Sequence, residues 1–348
     1  MEPTALAIGP SNYAGQATAW VRAVQAHLEL PAWSFTGVPM RGGGFGFEVD
    51  KRIGRIAFRN PLLWEMRTRS LLTGASHVAL DGFKSFHRWD RHASFGADAV
   101  RIAEMGHKVA LIAHGSDVRS PDGHLARDEW SYFSVGTDEW RANLRQQTEE
   151  NRAVAESSGF PVFYSTPDLG ADLPFGTWLP VVVDVDAWAS SAPVLERERP
   201  LVVHVPSQRT PPIKGTHLIL PVLQQLHDEG AIELVAPSAL PHDQLRELVR
   251  TCDILVDQLL FGSYGVAAVE AMAAGRLTLG RMNDDTRARM EEAPNMLEAT
   301  PETLREVVLS VRGRREELRS AAARGALFAR RWHDGRESAR VLTGFLEM

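Results

Sequence analysis

Short apolar runs alternate along this chain with stretches whose apolar positions recur every three or four residues, so strand-like and helix-like patterns take turns from one end to the other. The first run, Thr4 to Ile8, leads into Gly9-Pro10-Ser11-Asn12-Tyr13-Ala14-Gly15-Gln16 and then into helical periodicity from Ala17 to His27. Strand His77 to Leu80, helix Ala97 to Met105 and strand Lys108 to Ala113 continue the series, which ends in His114-Gly115-Ser116-Asp117. A second series follows. It comprises strand Leu201 to Val205, helix Thr216 to Glu229, strand Ile232 to Ala236, helix Asp243 to Arg250, strand Ile254 to Gln258 and helix Val266 to Ala274. Strands that alternate with helices predict parallel, doubly wound sheets. The charged, proline-bounded segment Val194 to Pro200 reads as the linker between the two series. The last run, Ala339 to Leu346, places Val341, Leu342, Phe345 and Leu346 at helical spacing and therefore needs a surface to cover.

A length of 348 residues suits two domains of similar size better than one core. The expected division is residues 1–190, residues 191–330 and a terminal helix, 331–348. An apolar share of 44% and a charged share of 24% are those of an ordinary globular enzyme. A net charge of −6 argues against nucleic acid as a partner, because phosphate neutralisation needs excess Lys and Arg. The single cysteine, Cys252, rules out a disulfide within the chain and a cysteine-built zinc site, which fits a reducing, cytoplasmic setting. No run of signal-peptide type begins the sequence, and no apolar run reaches membrane-spanning length.

The stretch from Asp253 to Gly275 carries the most chemistry. A buried strand feeds Leu259-Leu260-Phe261-Gly262-Ser263-Tyr264-Gly265, which opens a helix containing Glu270-Ala271-Met272-Ala273. Free amides and the positive end of the helix dipole at such a turn favour phosphate. Glu270 lies just over one turn into the helix, where a carboxylate can accept hydrogen bonds from the paired hydroxyls of a ribose. Upstream, the loop Pro206 to Gly215 holds two cations, Arg209 and Lys214.

These residues resemble the signature of the retaining GT-B glycosyltransferases grouped as family 4. Glu270 followed by Ala-Met-Ala matches the second glutamate of the family's pair, and Arg209 followed five positions later by Lys214-Gly215 matches its upstream element. The resemblance implies an α/β fold of two Rossmann-like domains with a cleft between them and a C-terminal helix crossing back to the first domain. It also implies transfer of a sugar from a nucleotide-diphosphate sugar to an acceptor hydroxyl, with retention and without metal or bound cofactor. Arg209 and Lys214 are then expected to bind the diphosphate and stabilise the leaving nucleotide, Glu270 to bind ribose, and Gly15, Gly262, Ser263, Tyr264 and Gly265 to line the donor site. His114 resembles the family's His-Gly element and is expected to act catalytically on donor sugar or phosphate, with Asn12, Tyr13 and Asp117 on the acceptor side. The acceptor is a small molecule, glycan or lipid.

One position departs from the pattern. Gly262 stands where the family has the first glutamate, which is expected to help hold the donor sugar; Asp257 or the backbone of Ser263 to Gly265 are the candidates to replace it. Three other readings stay open: an epimerase or hydrolase of nucleotide sugars, a pseudo-glycosyltransferase with a non-sugar donor, and a silent nucleotide-binding partner. Asp184-Val185-Asp186 imitates a metal-binding Asp-x-Asp but falls at the expected hinge after Leu179 to Val183, and His87 and His92 have no carboxylates spaced to complete a metal shell. The basic stretch Lys51 to Arg69 reads as a solvated face, with peripheral contact to anionic lipid or attraction of a phosphorylated acceptor as the alternatives. Arg41 to Asp50 and Asn60 to Ser70 are expected to be specificity loops, and Val235 to Leu240 to read the nucleobase.

Overall fold

The computed structural model describes residues 4–36, 47–53, 57, 60–85, 94–206, 211, 213–237 and 240–348. Arg209, His87 and His92, and parts of the stretches Arg41 to Asp50, Lys51 to Arg69, Pro206 to Gly215 and Val235 to Leu240, lie outside the described residues. The chain divides into two compact units, one of residues 1–120, 144–182 and 335–348, the other of residues 121–143 and 183–334.

In chain order the elements are β1 (Leu6–Gly9), α1 (Gln16–Leu28), β2 (Ala32–Thr36), β3 (Lys51–Arg52), α2 (Pro61–Leu72), β4 (His77–Asp81), α3 (Phe95–Glu104), β5 (Lys108–Ala113), α4 (Pro121–Arg127), α5 (Asp138–Ser157), β6 (Val162–Tyr164) and β7 (Thr177–Trp178). They continue as α6 (Val185–Trp188), β8 (Leu201–His204), α7 (Thr216–Asp228), β9 (Glu233–Val235), α8 (His242–Thr251), β10 (Ile254–Val256), α9 (Val266–Ala273), β11 (Leu277–Gly280), α10 (Asp284–Ala288), β12 (Leu297–Glu298), α11 (Leu304–Ser310), α12 (Arg315–Trp332) and α13 (Arg336–Leu346).

The first unit is built on a parallel sheet in the order β3-β2-β1-β4-β5-β6-β7. Its central strands are apolar on both faces because helices cover both. Alternation by two sends Ala7, Val78, Leu80, Val109 and Leu111 into one core, and Leu6, Ile8, Ala79, Ala110 and Ile112 into the other. The second core also takes Leu342, Phe345 and Leu346, so α13 covers the α1 side of this sheet, and Trp20 Nε1 and Ser338 Oγ both donate to the Pro180 carbonyl at 2.8 Å. The expected terminal helix is thus two helices, broken at His333-Asp334-Gly335, where Gly335 has φ 99°. The second unit carries a parallel sheet in the order β12-β11-β10-β8-β9, with Leu255 of β10 aligned between Val203 of β8 and Thr278 of β11.

Three expectations need correction. The segment Val194 to Pro200 is no linker: buried Asp253 accepts from the Leu195 amide at 2.5 Å, the Leu201 amide at 2.8 Å and Arg197 Nη1 at 3.0 Å, and Leu195 is fully buried. Proline and charge imitate a linker, whereas a buried carboxylate must be hydrogen-bonded and recruits these donors. The boundary between the units instead falls at Val182 and Val183, and residues 121–143 cluster with the second unit although they precede it in sequence. The stretch Asn60 to Ser70 is helix α2 and not a loop: Asn60 Oδ1 accepts from the Leu63 amide at 3.2 Å, and Trp64, Leu71 and Leu72 are buried. The polar helix α5 escaped the periodicity analysis because it buries only Thr148, Asn151 and Ala155. Among the described residues no helix is long and apolar enough to cross a membrane.

Phe345 is 2% exposed and lies in the second core of the first unit. Truncating it leaves a cavity that a helix pinned at Pro180 cannot fill, so Phe345→Ala should destabilise that unit by about 3–5 kcal/mol. Denaturant unfolding followed by a probe in α1 checks this, and a loss below about 1 kcal/mol would show that α13 does not hold this core together.

Candidate functional site

In a parallel sheet all strands end at the same edge, so the loops after β1, β4 and β5 meet there in the first unit. Asp81, the last residue of β4, is fully buried and accepts from the amides of Ser11 (2.6 Å) and Asn12 (2.8 Å) and from His114 Nε2 (3.2 Å). His114 follows β5; its ring stacks on Trp20 at 5.5 Å and meets Tyr13 edge-on at 5.2 Å. The carboxylate fixes which ring nitrogen faces inward, and the aromatic pair fixes the ring plane. Asp117 accepts from the amides of His114 (2.9 Å) and Gly115 (2.6 Å), so it shapes the turn that presents the histidine. Asn12, in a left-handed conformation at φ 46°, accepts from the Thr18 amide at 3.2 Å and donates to the Glu48 carbonyl at 3.3 Å. Gly15 precedes α1, whose N-terminus has no side-chain cap among the described residues. The structure therefore brings Asn12, Tyr13, His114 and Asp117 together around Asp81, with Asn12 and Asp117 spending their side chains on the loops.

The second unit repeats this edge with β8 and β10. The helices that follow, α7 and α9, begin after Gly215 and Gly265, and no described side chain caps either. Lys214 Nζ lies 3.4 Å from Asp257 Oδ1 and 3.5 Å from the Val205 carbonyl, while Asp257 Oδ2 accepts from the Gly265 amide at 3.0 Å. Asp257 thus couples the cationic loop to the start of α9. Behind it His204 is buried, bonded through Nδ1 to the Val256 carbonyl at 2.9 Å and through Nε2 to Thr216 Oγ1 at 3.0 Å, and burial pushes its pKa down to about 4. Nδ1 therefore donates to the carbonyl and Nε2 accepts from the threonine, which ties β8 to the first turn of α7.

Glu270 keeps 16% of its side chain exposed, and His242 Nε2 of α8 lies 3.9 Å from its Oε1. Burial raises the Glu270 pKa, against the lowering influence of His242 and Lys214; Asp257 adds to the rise. The neighbouring Glu270 carboxylate raises the His242 pKa in turn, helped by Asp243 and opposed by burial and Arg246. Lys214 and the Gly265 amide thus meet at Asp257, and Glu270 lies further along α9 beside His242. Ser263 is buried, its Oγ without a hydrogen-bond partner among the described residues. Tyr264 is different: its hydroxyl meets His333 Nε2 at 3.2 Å, its ring packs on Phe328, and burial lifts its pKa well above the ordinary value of 10.0, so only its main chain is left for a ligand. Asp184 caps α6 through the Ala187 amide at 2.9 Å and Asp186 pairs with Arg330 at 2.6 Å, so the Asp-x-Asp carboxylates have structural partners.

Four residues at these two edges escaped the sequence reading. Asp81 had a legible signal, a carboxylate closing an apolar strand, as did His204 at the end of β8. His242 and Asp128 had none, since each reaches its place from a distant part of the chain. Asp128 is 4% exposed and lies against Gly262, whose φ is +67°; a Cβ there would stand 2.4 Å from Asp128 Oδ2 and 2.4 Å from Asn283 Nδ2. Position 262 has neither the backbone conformation nor the space for a glutamate.

Solved structures that match over nearly the full length bear out the fold. Anabaena HepE in complex with UDP is similar at a TM-score of 0.61 and 13% identity, covering 99% of both chains. Sucrose-phosphate synthase from Thermosynechococcus elongatus reaches 0.64 at 11% identity, covering 99% of this chain and 98% of its own. WaaG, a glycosyltransferase involved in lipopolysaccharide biosynthesis, reaches 0.55 at 12%, covering 98% and 100%. No protein-family profile matches the chain, and no curated protein matches it by sequence. The fold is that of the GT-B glycosyltransferases.

The linked pair His242 and Glu270 makes a pH prediction. A histidine whose folded pKa exceeds its ordinary 6.5 contributes stability that is fully present below 6.5 and is lost as pH rises through the folded value. Wild type should therefore melt above His242→Gln at pH 6, and the gap should close toward pH 9. A melting difference that stays constant across that range would mean that the two side chains are not linked.

Proposed function

We propose that this chain is a glycosyltransferase that moves a sugar from a nucleotide-diphosphate sugar to an acceptor hydroxyl, with retention and without a metal. The observation that carries the proposal is that Asp257 joins Lys214, next to the uncapped start of α7, to the uncapped start of α9, with Glu270 just over one turn further along α9. A diphosphate placed there meets helix dipoles and an ammonium group, and a ribose meets a carboxylate. Two of the similar structures fit this reading in kind: HepE was solved with UDP and also with UDP-glucose.

In this reading Lys214, together with Arg209, stabilises the charge that develops on the departing nucleotide, where electrostatic preorganisation is most effective. His114, oriented by Asp81, is assigned to the donor sugar or phosphate. The leaving phosphate oxygen takes the acceptor proton on the face from which it departs, which preserves configuration. The Asp-x-Asp carboxylates, already capping α6 and pairing with Arg330, are not called on for a metal.

A thermal-shift panel of UDP, TDP, GDP and ADP, each with and without EDTA, tests the proposal on wild type and Glu270→Ala. One diphosphate at about 100 times its dissociation constant should stabilise wild type by ~2.7 kcal/mol, with no effect of EDTA and with the response lost in the variant. If none of the four raises the melting temperature, the donor site is misassigned. With the donor known, Lys214→Ala should lower kcat by about 10²–10³, measured as release of the diphosphate. A change confined to KM would remove Lys214 from leaving-group stabilisation.

A further inference from the structure

The loop that lacks its expected glutamate is held from outside in an unusually complete way. Six consecutive carbonyls, from Gln258 to Ser263, each have a partner. Gln258 O and Leu259 O accept from the Arg281 amide (3.1 Å) and from Arg281 Nε (2.7 Å), Leu260 O from the Tyr132 amide (3.0 Å), and Phe261 O pairs with His124 Nε2 (3.1 Å). Gly262 O accepts from the Asn283 amide (3.1 Å) and Ser263 O from Gln258 Nε2 (2.8 Å). Arg281 and Asn283, which make three of these bonds, are themselves set by Asp128: Arg281 Nη2 is 2.6 Å from both carboxylate oxygens, and Asn283 Nδ2 is 3.1 Å from Oδ2. Buried polar groups satisfied this fully admit one arrangement.

We propose that Asp128 is the positioning residue of the Gly262 to Gly265 loop, the carboxylate whose place next to Gly262 excludes a side chain at 262 and fixes the sugar end of the donor site. The proposal rests on the donor reading above. Asp128 keeps only 1% of its side chain exposed, so it acts through Arg281, Asn283 and the loop carbonyls and not by touching the sugar. A recess of about 420 Å³ opens beside the cluster, with Asp128, Trp130, Arg281, Met282, Asn283 and Thr300 among its walls. The same carboxylate therefore forms part of the wall of that recess and closes the space beside Gly262. The segment 121–143 belongs to the donor unit for this reason: it supplies Asp128, His124 and Tyr132 to a loop that is far away in sequence.

The test combines hydrogen exchange without ligand and paired binding measurements on the full chain. In Asp128→Asn, amide exchange across 257–265 should rise about ten-fold while α7 stays at the wild-type rate. The diphosphate that stabilises wild type in the panel should bind within about two-fold of wild type, whereas its hexose derivative (UDP-glucose for UDP, GDP-mannose for GDP) should bind about ten-fold more weakly. Unchanged exchange in the loop would overturn the proposal, as would equal weakening of both ligands, which marks a general structural loss. If wild type binds no diphosphate, the donor reading fails, and the exchange result still decides the role of Asp128. Should Asp128→Asn fail to fold, Gly262→Ala and the double variant Gly262→Ala/Asp128→Ala replace it. Direct competition for space predicts that the second substitution restores part of the stability lost in the first, and purely additive losses refute it.

Discussion

Everything at the candidate site depends on one constraint of parallel sheets: strands that run the same way end at one edge, and every crossover must leave from there. At that edge the chain is still satisfying the last strand carbonyls and the first helix amides, so any carboxylate or cation placed after a strand becomes part of the local hydrogen-bonding. Asp81 at the end of β4 and Asp257 after β10 follow this rule, and the neutral imidazole of His204 at the end of β8 is drawn in likewise. Each is buried, and each joins a loop to the helix or the strand beside it.

The two units use the same device with opposite results. In the first, Asp81 gathers two amides and an imidazole, and His114 is held between Trp20 and Tyr13. In the second, Asp257 gathers a lysine and a glycine amide, leaving a positive turn with Glu270 at its rim. A carboxylate that can only accept organises donors, and what those donors present outward decides whether the edge suits a hydroxyl or a diphosphate.

Segment 121–143 supplies a close partner to the loop after β10. Gly262 has a left-handed conformation, and the space in which a side chain would stand is already filled. Asp128, tied to Arg281 and Asn283, occupies that space from a part of the chain well upstream. Sequence inspection named Asp257 and the Ser263 to Gly265 backbone as the replacements. In the structure Asp257 couples Lys214 to α9, a contact its neighbours in sequence do not reveal.

By itself the amino-acid sequence determined the alternation of strands and helices, the parallel sheets, the loops that carry Lys214 and His114 and the helix that carries Glu270, because strand and helix periodicities and glycine turns are local properties of the chain. Lys108 to Ala113 was read to the residue and β1, β4, β8, β9 and β10 to within two, whereas β2, β3, β6, β7, β11 and β12 were not read. Tertiary structure alone decided which segments share a unit, that Val194 to Pro200 is anchored to Asp253, that Tyr264 faces the core and that Asp128 stands at Gly262. Those outcomes depend on hydrogen bonds and packing between residues far apart in sequence, where a buried polar group takes whichever partner the fold delivers, and no local pattern records which one that is.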